Sequence, residues 1–191
     1  MKTNSIVFGM ALLMGLVLSN SAFSQSAATQ NLSLTVDGSA LLAVVGIGEN
    51  INSPAVSISL SGASEAGAEV MTTAEDQSTR LRISSLVESG KTRAVSASIL
   101  PALTGAGTTL SLELIKPATF LPAVANGGIT TGAKDLTDGS TQDLVNGITT
   151  CWSGIADGNG YTIKYVYAKA EGATALISKD IVVTYTISAE I

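Results

Sequence analysis

The sequence predicts an all-β protein, a two-layer antiparallel β-sandwich of about eight or nine strands. Two observations carry this. The chain ends D-I-V-V-T-Y-T-I-S-A-E-I, where Ile181, Val183, Tyr185 and Ile187 fall on one face of an extended chain and Val182, Thr184, Thr186 and Ser188 on the other; this is the period-2 signature of a half-buried strand. The same alternation recurs upstream between turns rich in Gly, Asn and Asp, with proline confined to strand ends. A strand of this kind is unstable alone, so the terminal one is expected to have neighbours along both edges and a second layer over its apolar face. A closed barrel is the alternative, since period 2 is common to both. An outer-membrane barrel is disfavoured, because the faces opposite the Leu, Ile and Val rows carry Ser, Thr and charges rather than a lipid-facing apolar band.

Taken in order, residues 1–24 have the three parts of a secretory signal: Lys2, an apolar run over residues 6–18, and a polar stretch ending Ala22-Phe23-Ser24. The apolar run of about 13 residues is short of the roughly 20 that span a bilayer, so cleavage before Gln25 is expected rather than a retained anchor. No membrane span is then expected in the mature chain, residues 25–191, which is read as a single β-sandwich domain. Residues 25–30 form a polar leader. Residues 31–37 alternate, with Leu32, Leu34 and Val36 on one side and Ser33 and Thr35 on the other, up to Asp37-Gly38. The apolar run over residues 41–45 reads as a short strand buried on both faces, or as the same strand continued past a bulge.

Pro54 opens the next strand, with Val56, Ile58 and Leu60 alternating with Ser57 and Ser59. Residues 79–86 place Leu81 and Ile83 inward and Arg80 and Arg82 outward. Ser89-Gly90-Lys91 reads as a hairpin turn into residues 92–100, with Val95, Ala97 and Ile99 inward. Residues 108–115 carry Leu110, Leu112 and Leu114 against Thr109, Ser111 and Glu113, and Pro117 ends that strand. Residues 120–143 lack a clear period and read as a long excursion with one or two short strands, followed by another near residues 144–152. Asp157-Gly158-Asn159-Gly160 is the strongest turn signal in the chain. It leads into residues 161–169, where Tyr161, Ile163, Tyr165 and Tyr167 share a face, and Glu171-Gly172 turns the chain toward the terminal strand.

Composition narrows the chemistry. Once Lys2 leaves with the signal, 9 of the 10 basic residues face 15 acidic ones with no basic cluster, which argues against a nucleic-acid partner. The sequence has no histidine, so triads and metal sites built on imidazole are unavailable. Cys151 is the only cysteine; it forms no intrachain bridge and reads first as a small packed residue, with an intermolecular disulfide or a reactive thiol as the rival. Asp135, Asp138, Asp143 and the Asp157 turn offer oxygen ligands, but without the D-x-D-x-D-G spacing and closing Glu of a calcium loop; turn chemistry accounts for them. The expectation is a non-enzymatic protein with no cofactor and no metal. Exposed aromatic platforms would mark a glycan-binding module. The tyrosine row reads as core because it shares its face with Ile163.

A signal peptide, a mature chain dominated by Ala, Thr, Ser, Gly and Val, the N-terminal alternation Leu32-Ser33-Leu34-Thr35-Val36 and the C-terminal strand Val182-Val183-Thr184-Tyr185-Thr186 together resemble the pilin-type subunits of Gram-negative surface fibres. The resemblance implies an Ig-like β-sandwich that donates an N-terminal strand, here carrying Leu32, Leu34 and Val36, to a neighbouring subunit. It also implies self-association or pairing with another surface subunit, a periplasmic chaperone during export, and a place in the periplasm, at the cell surface or outside the cell. The chain lacks the disulfide pair of many such subunits, and Tyr185 does not stand at the penultimate position. A monomeric secreted binding module for a glycan or surface partner is the alternative function.

Overall fold

The computed structural model describes residues 38–48, 54–63, 65–68, 70–122 and 126–191. Among them there is no helix, and ten strands form two antiparallel sheets. The strands are β1 (Ser39–Gly46), β2 (Thr73–Leu86), β3 (Arg93–Leu100), β4 (Thr108–Ile115), β5 (Ile129–Thr130), β6 (Lys134–Asp135), β7 (Gln142–Ile148), β8 (Cys151–Trp152), β9 (Tyr161–Lys169) and β10 (Val182–Ile187). One sheet runs β1-β2-β9-β4-β6, with β8 also paired to β2, and the other runs β10-β3-β7-β5. The all-β sandwich expected from the alternation is the fold observed.

The inward faces meet in one core. Leu81 and Ile83 of β2, Leu110, Leu112 and Leu114 of β4, and Tyr161, Ile163 and Tyr165 of β9 come from the first sheet; Val95, Ala97 and Ile99 of β3 and Leu144, Val145 and Ile148 of β7 come from the second. Fully burying each aliphatic side chain contributes about 1.5–3 kcal/mol before entropy is counted. With few aromatic residues, this aliphatic interdigitation carries the stability. Gly160 shows what the strongest turn requires: its φ is +109°, and a Cβ there would stand 2.6 Å from the Leu81 carbonyl oxygen, so only glycine admits the approach of β9 to β2.

Several expectations are corrected by the pairing. Among the described strands, only β1 and β2 are both consecutive and paired. Ser89-Gly90-Lys91 is therefore not a hairpin turn: it carries the chain from β2 in one sheet to β3 in the other. A turn signal states that the chain reverses, and the competition between sheet layers decides what it reverses onto. β1 is not buried on both faces, since it lies at a sheet edge with alternating exposure. β2 begins at Thr73, well before the alternation that marks residues 79–86, because its first half pairs with β9 around a register shift between Asp76 and Thr79. Among the described residues the terminal strand β10 is itself an edge, paired to β3 alone, and Val183, Tyr185 and Ile187 are half-buried rather than enclosed.

Residues 54–60 depart furthest from expectation. Their burial alternates as a strand's would, with Val56 and Ile58 packed against the core. Among the described residues, however, no backbone hydrogen bond ties them to either sheet. They form an extended strap that uses its side chains without a ladder.

Candidate functional site

Leu32, Leu34 and Val36 lie outside the described residues. The first described residue is Gly38. A Cβ there would overlap the Glu190 carboxylate and come within 3.2 Å of Arg93 Nη2. Arg93 is buried at the start of β3, on the face that continues through Val95, Ala97 and Ile99. Its Nη2 meets Glu190 Oε1 at 3.1 Å and donates to the Leu86 carbonyl at 3.4 Å, and its Nη1 donates to the Ser188 carbonyl at 2.9 Å. Around it, Ile191 and Thr92 exchange backbone bonds, and Ala94 N donates to Ser188 Oγ. One guanidinium thus ties the end of β2, the start of β3 and the tail after β10 at the doorway of β1. The signal for this in the sequence is a charge on the inward face of an otherwise apolar alternation, which must find partners if it is buried.

β1 pairs only with β2, and β10 only with β3, among the described residues. These two edge strands approach one another across the sheets, so one side of the sandwich is bounded by two unpaired edges. The β1 edge, S-A-L-L-A-V-V-G, carries no charge and no proline, the devices by which exposed edges are ordinarily protected.

The outer face of the first sheet carries an apolar row. Leu41 lies opposite Ser84, Ser84 opposite Trp152, and Trp152 opposite Leu121, so the four share one face across neighbouring strands. Leu41 is 71% exposed, Trp152 44% and Leu121 46%. Trp152 follows Cys151 in the sequence. The two-residue strand β8 splits them: Cys151 points into the core, and Trp152 points out.

The remaining candidates resolve into structure. Cys151 is fully buried, and burial pushes its thiol up to about 11, with the Lys116 charge pulling weakly the other way; the packed reading is the one observed, and such a thiol is a poor nucleophile. Tyr161 is buried against Phe120, and its hydroxyl donates to the Gly127 carbonyl. Tyr165 and Tyr185 share a hydrogen bond at 2.9 Å between the two sheets. Burial raises the pKa of all three, so the row serves the core rather than a ligand, with Tyr167 half-buried at its end. Asp135 Oδ1 accepts from Thr137 N, and Asp138 Oδ1 accepts from Ser140 N and Oγ, which lowers the Asp138 pKa. Asp157 Oδ1 accepts from Gly48 N at 2.9 Å. These carboxylates brace turns, and among the described residues no group of three or more His, Cys, Asp or Glu is placed to hold a metal ion.

No family model, no curated protein and no solved structure matches this chain.

Proposed function

We propose that this chain is a non-enzymatic exported structural protein, a subunit of a pilus-like cell-surface fibre assembled by strand exchange, with Leu32, Leu34 and Val36 on the strand given to the neighbour. One observation carries the reading: two edges, β1 and β10, without an outer partner among the described residues bound the same side of the sandwich, in a chain whose uncharged alternating segment ends just before β1. Exposed edges pair with extended segments through backbone bonds, and alternate side chains supply specificity. The partners are further copies of the chain or another surface subunit, with a periplasmic chaperone covering the edges beforehand.

Purified mature protein and labelled cells test this together. The expected result is a ladder of high-mass species that survives mild SDS, labelled fibres under the electron microscope, and loss of both on deleting residues 25–37. An intact mass beginning at Gln25 checks export. A chain that stays strictly monomeric at high concentration and on the cell refutes the fibre reading.

The row Leu41-Ser84-Trp152-Leu121 favours a second reading, a glycan-binding module, because an exposed indole on a flat sheet is a stacking surface for sugar rings. Glycan-dependent thermal stabilisation of a monomer, lost in Trp152→Ala, would select it.

A further inference from the structure

We infer that the strap, residues 54–60, is an exchangeable plug, and that residues 31–36 of a second copy displace it. The inference rests on the fibre reading and names the acceptor that reading leaves open.

The strap occupies a definite place. It starts at Pro54, whose ring carbons lie 3.6–3.8 Å from where a Gly46 Cβ would stand, and Gly46 pairs with Thr79. It ends where Ser61 accepts a hydrogen bond from Met71 N at 3.1 Å, two residues before β2. It therefore runs past the end of β1, along the first half of β2, residues 73–78. Residues 73–76 pair with β9 on one side, and among the described residues 73–77 have no backbone partner on the other, the contact with β1 ending where Ile47 N donates to the Ser78 carbonyl at 3.0 Å. Val56 and Ile58 reach the core, but among the described residues the strap backbone joins no ladder. A segment that fills side-chain positions while leaving its backbone unpaired is held by less than the site can offer.

The second copy carries a segment of the same chemistry. Leu32-Ser33-Leu34-Thr35-Val36 and Val56-Ser57-Ile58-Ser59-Leu60 are both five-residue alternations of aliphatic and hydroxyl side chains. The incoming segment can fill the same inward positions and can also pair with the open half of β2. Chain length makes the exchange intermolecular. Leu32 lies six residues before Gly38, a reach of about 21 Å at most, whereas the eight residues of strand from Gly38 to Gly46 alone span about 26 Å. A chain's own residues 31–36 do not reach its own strap.

Two measurements on the full mature chain test this. A synthetic peptide of residues 31–37 should bind, slow amide exchange at the open edge of β2 and expose residues 54–60 to limited proteolysis while leaving β4 and β9 protected; a peptide with Leu34→Ser should do none of these. Ile58→Ser, which weakens the plug, should bind the peptide about ten-fold tighter, corresponding to 1.4 kcal/mol, and should assemble faster. A merely structural strap gives the opposite sign, with slower assembly and no gain in peptide affinity. If Leu34→Ser in the full chain abolishes assembly while peptide leaves the proteolysis of residues 54–60 unchanged, the fibre reading stands and the plug is refuted. If the wild-type chain forms no assemblies, the fibre reading fails, and the peptide-dependent proteolysis of residues 54–60 in the wild type still decides the plug. Should Ile58→Ser fail to fold, the same wild-type measurement decides.

Discussion

The hydrogen bond between Tyr165 and Tyr185 offers a direct test of how the two sheets are held. Tyr165 stands on β9 in one sheet and Tyr185 on β10 in the other, their hydroxyls 2.9 Å apart. Tyr165 is 8% exposed, so Tyr185→Phe leaves its hydroxyl away from water and without its partner, at a cost of about 1–3 kcal/mol. Tyr165→Phe removes the same bond and should cost less, because Tyr185 is only half-buried. The double change to Phe removes donor and acceptor together, retains nearly all the packing, and should cost less than the two single changes summed, with a coupling of about 1–3 kcal/mol. Urea unfolding followed by far-ultraviolet circular dichroism reads this. With a slope of about 2 kcal/mol per molar for a domain of this size, Tyr185→Phe should lower the midpoint by about 0.5–1.5 M and Tyr165→Phe by less. Additive costs with no coupling would refute the claim that the two hydroxyls stabilise each other across the core.

Other substitutions probe the remaining layers. Leu112→Ala, at a fully buried position, should cost about 2–5 kcal/mol, whereas Ser111→Ala on the opposite face should stay within about 0.5; equal melting temperatures would mean the facing is wrong by one residue. Arg93→Ala should cost about 3 kcal/mol in urea unfolding, because it leaves the Glu190 carboxylate and the Leu86 and Ser188 carbonyls without their donor. Lys164→Ala, which breaks the more exposed pair with Glu75, should change stability by no more than about 1 kcal/mol. Cys151 should resist alkylation at pH 8 in the folded protein and react only on unfolding. Its thiol pKa rises from 9.0 to about 11 on folding, so its contribution to stability is intact below pH 9 and is lost as pH climbs toward 11. Rapid native alkylation, or stability that rises over that interval, would contradict its burial.

The sequence by itself determined the class of fold and the inward residues of the strongest strands. Period 2 is a local property of an extended backbone, and Leu81, Ile83, Val95, Ala97, Ile99, Leu110, Leu112 and Leu114 are all buried as their alternation required. It also determined that Asp138 serves its own turn, because an Asx side chain bonds to backbone groups two residues on; the partner of Asp157, Gly48 N, is brought to it by the fold.

Partner choice was a tertiary decision. Nothing local tells the turn at Gly90 whether to return to β2 or cross to the other sheet. Equally, nothing in V-S-I-S-L distinguishes a laddered strand from a strap, since both bury the same side chains, and only the position of the neighbouring backbone separates them. The same holds for β8: alternation requires Cys151 and Trp152 to face opposite ways, but which one enters the core depends on the pairing of Ser85 with Cys151 and Ser84 with Trp152. Arg93 lay on an apolar face in plain view, but its worth came from Glu190, Ser188 and Leu86, residues that the fold alone brings to one guanidinium.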